Sequence, residues 1–156
     1  MTSTAPGSAM FLEDFEVGQV FESQGRTVTE ADVTAFAGLT WDTNEVHTDA
    51  VSAAADRFGE RIAHGMLGLS FAMGLASRLG IFEGSSVALL AVEEWRFIAP
   101  IRFGDTLRCH VEIVGVRRTS AGDTGVLDRR LVLVNQGGET VQSGRIPLMV
   151  KARPSA

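Results

Sequence analysis

Met66-Leu67-Gly68-Leu69-Ser70-Phe71-Ala72-Met73-Gly74-Leu75-Ala76-Ser77-Arg78-Leu79 is the stretch on which the fold turns. Apolar residues fall on nearly every face of a helical projection, interrupted only by Ser70, Ser77 and Arg78, which describes a helix buried all round. At about fourteen residues it is too short to cross a bilayer, so it reads as a core helix. Downstream, Gly80 and Gly84-Ser85-Ser86 break the chain, and four β-rich runs follow: Val87–Ile98, Thr106–Arg118, Gly125–Asn135 and Thr140–Val150. Short turn-forming segments separate them, so they read as consecutive antiparallel hairpins, and Val20 to Val28 adds a fifth strand. Upstream, Thr29 with Glu30 and Asp32 starts one helix, whose apolar stripe is Val33, Phe36 and Ala37, and Thr48-Asp49 starts another over Ala50 to Phe58. The expectation is an α+β domain over residues 11–152, with the apolar helix wrapped by an antiparallel sheet of about five strands. The first ten residues, MTSTAPGSAM, lack the basic and apolar regions of a signal peptide and read as a disordered tail.

Composition narrows the partners. A chain of 156 residues that is 45% hydrophobic has material for one core, and its net charge of -5 argues against a nucleic-acid or anionic-membrane surface. Cys109, the only cysteine, excludes an intrachain disulfide, and a reducing, cytoplasmic setting is expected. Alternation places Cys109 with Leu107, Val111 and Ile113 as a buried thiol, and His110 on the other face with Arg108 and Glu112. The three histidines, His47, His64 and His110, are widely spaced, so no metal site is expected. Gly65, Gly68 and Gly74 lie along a helix, outside the strand–turn context of a dinucleotide loop, so no bound cofactor is expected either.

The polar residues worth weighing stand just before the core helix. Asp42-Thr43-Asn44-Glu45-Val46-His47 carries a carboxylate and an imidazole five positions apart, about 140° out of alignment on a helix and on opposite faces of a strand. The segment is therefore a folded loop, which either brings Asp42 and His47 to one point or simply forms a turn through Asp42 and Asn44. Gly65 stands at the helix entrance, where the first N–H groups lack partners and the dipole is positive, a setting suited to a developing oxyanion. His64, beside it, reads equally as a packed core histidine.

These residues resemble the MaoC-like acyl dehydratases, or (R)-specific enoyl-CoA hydratases, of the hot-dog fold. The family's pattern is an Asp, an Asn two residues on, a His three further, and some fifteen residues later a His-Gly pair opening the central helix. Here these fall on Asp42, Asn44, His47 and His64-Gly65, and the similarity runs from about Phe11 to Val150, through Phe97-Ile98-Ala99-Pro100-Ile101-Arg102-Phe103-Gly104-Asp105-Thr106-Leu107. One departure is Glu45, where the family usually has proline; losing that fixed φ could loosen the loop, and a third acid beside Asp42 could raise its proton affinity.

The resemblance implies reversible addition of water to a trans-2-enoyl thioester of coenzyme A or an acyl carrier protein, giving the (R)-3-hydroxyacyl product. Asp42 and His47 would hold and activate the water, the Gly65 N–H would meet the thioester oxygen, and Asn44 and His64 would support from behind. It also implies a homodimer, because family members pair two hot-dog units. Two other readings are a hot-dog thioesterase and a binding subunit that leaves catalysis to a partner. The first needs a carboxylate on the core helix, and Met66 to Leu79 contains no Asp or Glu.

Overall fold

The computed structural model describes residues 9–154. Helix α1, Glu30–Thr40, begins as expected from a Thr29 N-cap: the Thr29 hydroxyl accepts from the Asp32 N–H and the Asp32 carboxylate accepts from the Thr29 N–H. Two short helices follow, α2 over Glu45–Thr48 with Asn44 as its N-cap, and α3 over Ala50–Ala55 with Asp49 as its N-cap. The central helix α4 spans Gly65–Ser77.

The remaining chain forms eight strands: β1 Val20–Glu22, β2 Arg26–Thr27, β3 Ser86–Leu89, β4 Glu93–Phe97, β5 Thr106–Arg118, β6 Thr124–Val134, β7 Thr140–Arg145 and β8 Leu148–Lys151. All pair antiparallel, in the order β1-β5-β6-β7-β4, with β8 joining the other end of β6 and carrying β3. The five expected runs are all present, but three of them are broken. Thr140–Val150 divides at Ile146-Pro147, because proline has no N–H for the ladder; β6 therefore pairs β7 along Arg130–Val134 and β8 along Thr124–Leu127. Val87–Ile98 divides between β3 and β4, and Val20–Val28 divides where the Ser23 hydroxyl takes the Cys109 N–H.

Alternation along the two long strands builds the core. Leu107, Cys109, Val111 and Ile113 of β5 face α4 beside Leu127, Leu131 and Leu133 of β6, all at 0% exposure. Burying each such aliphatic side chain contributes roughly 1.5–3 kcal/mol. The helix places Leu67, Leu69, Phe71, Ala72, Leu75 and Ala76 against this face. It is not buried all round, however. Met66, Ser70, Gly74 and Ser77 form an open stripe, which hydropathy concealed because three of the four are small and none is charged. The sequence boundary of the N-terminal tail also moves: residues 1–8 lie outside the described residues, but Met10 is buried and its N–H donates to the Ile81 carbonyl. The expected second helix ends at Ala55, not Phe58.

One charge shares the core. Arg129 is 2% exposed, its Nε donates to the Ile146 carbonyl and its guanidinium lies 4.9 Å over the Phe82 ring. Burial brings Arg129 down to about 10 and pushes the Cys109 thiol up to about 12. Among the described residues no helix is long and apolar enough to cross a membrane.

Because the thiolate, and not the thiol, is the nucleophile, native Cys109 should resist a disulfide reagent at mildly alkaline pH and react in denaturant. Fast modification of the native protein would contradict its burial.

Candidate active site

The loop after α1 is folded by its own short polar side chains. The Asp42 carboxylate accepts from the Asn44 N–H at 3.4 Å, the Asn44 side-chain oxygen accepts from the Val46 N–H at 3.2 Å, and the Thr48 hydroxyl donates to the Thr43 carbonyl at 3.0 Å. These bonds start α2 and put His47 on its inner side. The segment before α4 is then clamped between this loop and the strand region beyond: the Ile62 N–H donates to the Val46 carbonyl and the Ala63 N–H to the Ile101 carbonyl.

Two imidazole bonds complete the clamp. His47 Nδ1 lies 2.8 Å from the Ile62 carbonyl oxygen, and His64 Nε2 lies 2.8 Å from the Asp42 carbonyl oxygen. A carbonyl can only accept, so Nδ1 carries the hydrogen in His47 and Nε2 carries it in His64. The free nitrogens are therefore Nε2 of His47 and Nδ1 of His64, and the latter is buried with no hydrogen-bond partner. The rings stack with centroids 3.8 Å apart and 27° between planes, and Phe36 flanks His64 at 5.1 Å.

Asp42, His47 and His64 each present an acceptor or donor atom, all within 4.8 Å of one another. Asp42 is exposed, His47 half-buried and His64 buried. Sequence spacing gave no sign of this histidine pair, because the contact depends on how residues 62–64 dock on the loop. Two nearly parallel rings direct their lone pairs in planes that converge only far beyond bonding distance, so the stack does not suit a shared metal ion. The trio fits better around a small hydrogen-bonded molecule such as water.

Gly65 is required first by packing, since a Cβ there would lie 2.9 Å from the Phe97 ring. Its N–H, the first of α4, has no hydrogen-bond partner among the described residues, and its carbonyl accepts from the Gln142 amide at 3.0 Å. Gln142, 2% exposed, also takes the Trp95 indole N–H at 3.2 Å. It fixes the helix entrance from across the sheet, and the sequence reading missed it: Val141 and Gln142 are both buried, so simple alternation does not mark it. A Cβ on Gly68 would meet this amide at 2.3 Å. Asn44 is the N-cap of α2 and acts on the loop backbone. A depression of about 570 Å³ near Leu90, Val116, Arg117 and Pro147 holds an Arg145–Asp128 ion pair but gathers no comparable set of groups.

The carboxylate of Glu45 accepts from the Ser52 hydroxyl at 2.8 Å, so it points along the loop and not at Asp42. Glu45 is the first residue of α2, no hydrogen bond among the described residues uses its N–H, and Asn44 before it has φ -54° and ψ 139°. That is the backbone a following proline demands. Replacing Glu45 by Pro should keep the fold and activity and add about 0.4–1 kcal/mol through the unfolded chain. Denaturant unfolding checks it, and loss of stability would show a different loop backbone.

Comparison with known proteins identifies the family. A profile described as the MaoC like domain matches residues 14–133. An (R)-specific enoyl-CoA hydratase of Rhodospirillum rubrum is 32% identical over 147 residues, covering 92% of this chain and 93% of its own. The unliganded R-hydratase PhaJ1 from Pseudomonas aeruginosa superposes with a TM-score of 0.75 at 29% identity, covering 93% of this chain and 88% of its own. At the level of fold alone, a conserved hypothetical protein of Mycobacterium tuberculosis with a double hot-dog fold gives a TM-score of 0.85 at 23% identity, over 95% of this chain and 46% of that one. The helix wrapped by a curved antiparallel sheet is thus a hot-dog fold, and the chain belongs to the MaoC-like domain family.

Proposed function

We propose that this protein is a hydro-lyase that reversibly hydrates a trans-2-enoyl thioester, carried on coenzyme A or an acyl carrier protein, to the (R)-3-hydroxyacyl thioester. The observation that carries the reading is the convergence of Asp42 and His47, with the Nδ1–H of His47 committed to the Ile62 carbonyl so that Nε2 is the nitrogen left for chemistry. The names of relatives, among them a 3-hydroxybutyryl-CoA dehydratase of Methylorubrum extorquens at 35% identity over 130 residues, support the reaction class. A thioesterase reading has no carboxylate on α4 to work with.

In this scheme a water sits between Asp42 and Nε2 of His47. Asp42 takes one proton as the water oxygen bonds to C3, and the π electrons move through C2 to the thioester oxygen. The Gly65 N–H, at the positive end of a thirteen-residue helix, donates to that oxygen. His47, which enters the cycle after Nε2 has taken a proton from solvent, then delivers that proton to C2, and the proton on Asp42 passes to the vacated Nε2 to restore the pair.

The protein works in this reading as a homodimer. Strand β4 is an outer strand of the sheet, and Phe97 at its end and the flanking Val92 and Ile98 are 55%, 47% and 53% exposed, an apolar edge suited to a second copy. Phe97 also packs on Gly65, which places this edge beside the helix entrance.

With crotonyl-CoA as substrate, loss of the enoyl absorbance should report hydration and chiral analysis should give the (R) product. Asp42→Asn and His47→Gln should each lower turnover by roughly 10²–10⁴-fold, Asp42→Asn with little change in Tm, and the double variant should fall far short of the product of the two effects. Full activity in either single variant, or thiol release in place of hydration, would overturn the proposal.

A further inference from the structure

Trp41 stands where local physics least favours it. It is the C-cap of α1 with φ 63° and ψ 12°, in the left-handed region that glycine or asparagine occupies at low cost and a bulky residue rarely adopts. The only other non-glycine residue with positive φ among the described residues is Glu94. Burial does not compensate, because Trp41 is 89% exposed, the most exposed large apolar side chain among the described residues.

The backbone around it explains the conformation but not the side chain. The Trp41 carbonyl accepts from the Thr43 N–H at 3.1 Å. The Thr40 hydroxyl accepts from the Asp42 N–H at 3.3 Å and donates to the Phe36 carbonyl at 2.7 Å. The next carbonyl, that of Asp42, is held by His64. Presenting Asp42 to the two histidines therefore forces a left-handed turn at position 41, which glycine would make without strain. An indole that is strained and left uncovered by its own chain, one residue from the proposed base, is accounted for by a contact outside that chain.

We infer that Trp41 is a specificity-determining residue that packs on the pantetheine arm of the thioester. This rests on the hydratase reading. A substrate whose enoyl carbons lie at Asp42 and His47 has an apolar acyl end, which gains by leaving water, and an amide-bearing arm, which must run out to its carrier. Trp41, exposed and next to Asp42 in the chain, is the large apolar side chain placed to meet that arm. A flat indole suits it, since one face covers the aliphatic carbons while the ring N–H remains free for an amide oxygen or water.

The test compares wild type, Trp41→Gly and Trp41→Phe on crotonyl-CoA and on crotonyl-N-acetylcysteamine, which lacks the outer part of the arm. Trp41→Gly should not lower Tm, should raise KM for crotonyl-CoA roughly tenfold with kcat little changed, and should leave KM for the short thioester unaltered, because a contact kept from ground state to transition state acts on KM alone. Trp41→Phe should restore most of the difference. An unchanged KM for crotonyl-CoA, an equal loss of kcat on both substrates, or a change in oligomeric state with KM preserved would each overturn the assignment. Wild type that hydrates neither thioester would count against the hydratase reading itself. Binding then still decides the contact: crotonyl-CoA should change indole fluorescence in wild type but not in Trp41→Phe, where only half-buried Trp95, bonded to Gln142, remains.

Discussion

Two hydrogen bonds from imidazoles to backbone carbonyls hold the candidate site together. His47 donates from α2 to Ile62, and His64 donates from the segment before α4 back to Asp42. Each histidine thus ties its own segment to the other's backbone, and the rings stack where the two segments meet. The same bonds fix which nitrogen of each ring is free, so geometry and proton inventory are set together. Removing either ring would free a carbonyl and loosen the loop that carries Asp42, which is why histidine is used here as a structural strut as well as a titratable group.

The strut needs a fixed wall, and the sheet supplies it. The long β5–β6 pair gives α4 its apolar bed, and β7 sends Gln142 through to the carbonyl of Gly65. Phe97 of β4 closes on Gly65 from the other side. The first turn of the helix is therefore held by an amide and an aromatic ring from two adjacent strands, leaving its leading N–H directed outward with no competing partner among the described residues. Gly65 and Gly68 are small because these neighbours leave no room for a Cβ.

Much of this was readable in the chain. The five-residue spacing of Asp42 and His47 excludes regular structure, and the Asx-rich loop between them explains how they converge. Alternation gives the inward face of β5, Cys109 included. The histidine stack was not readable, since it depends on docking between residues 42–47 and 62–64, a contact no local pattern encodes. Gln142 escaped because two successive residues of β7 are buried. The open stripe on α4 escaped because Gly74, Ser70 and Ser77 are too small to register against leucines. The division of the last run at Pro147 had a visible cause and lay within the reach of strand chemistry.

The candidate site depends on the hydrogen assignments of the two rings. Long-range ¹H–¹⁵N correlation spectra of the native protein at mildly alkaline pH report them directly. The result expected is the Nδ1–H form for His47 and the Nε2–H form for His64, with the His47 pattern lost in a protein whose His47 is replaced by Gln. Finding His47 in the Nε2–H form, or both rings exchanging freely between tautomers, would mean that the carbonyl clamps are not formed and that Nε2 of His47 is not held free for the chemistry assigned to it.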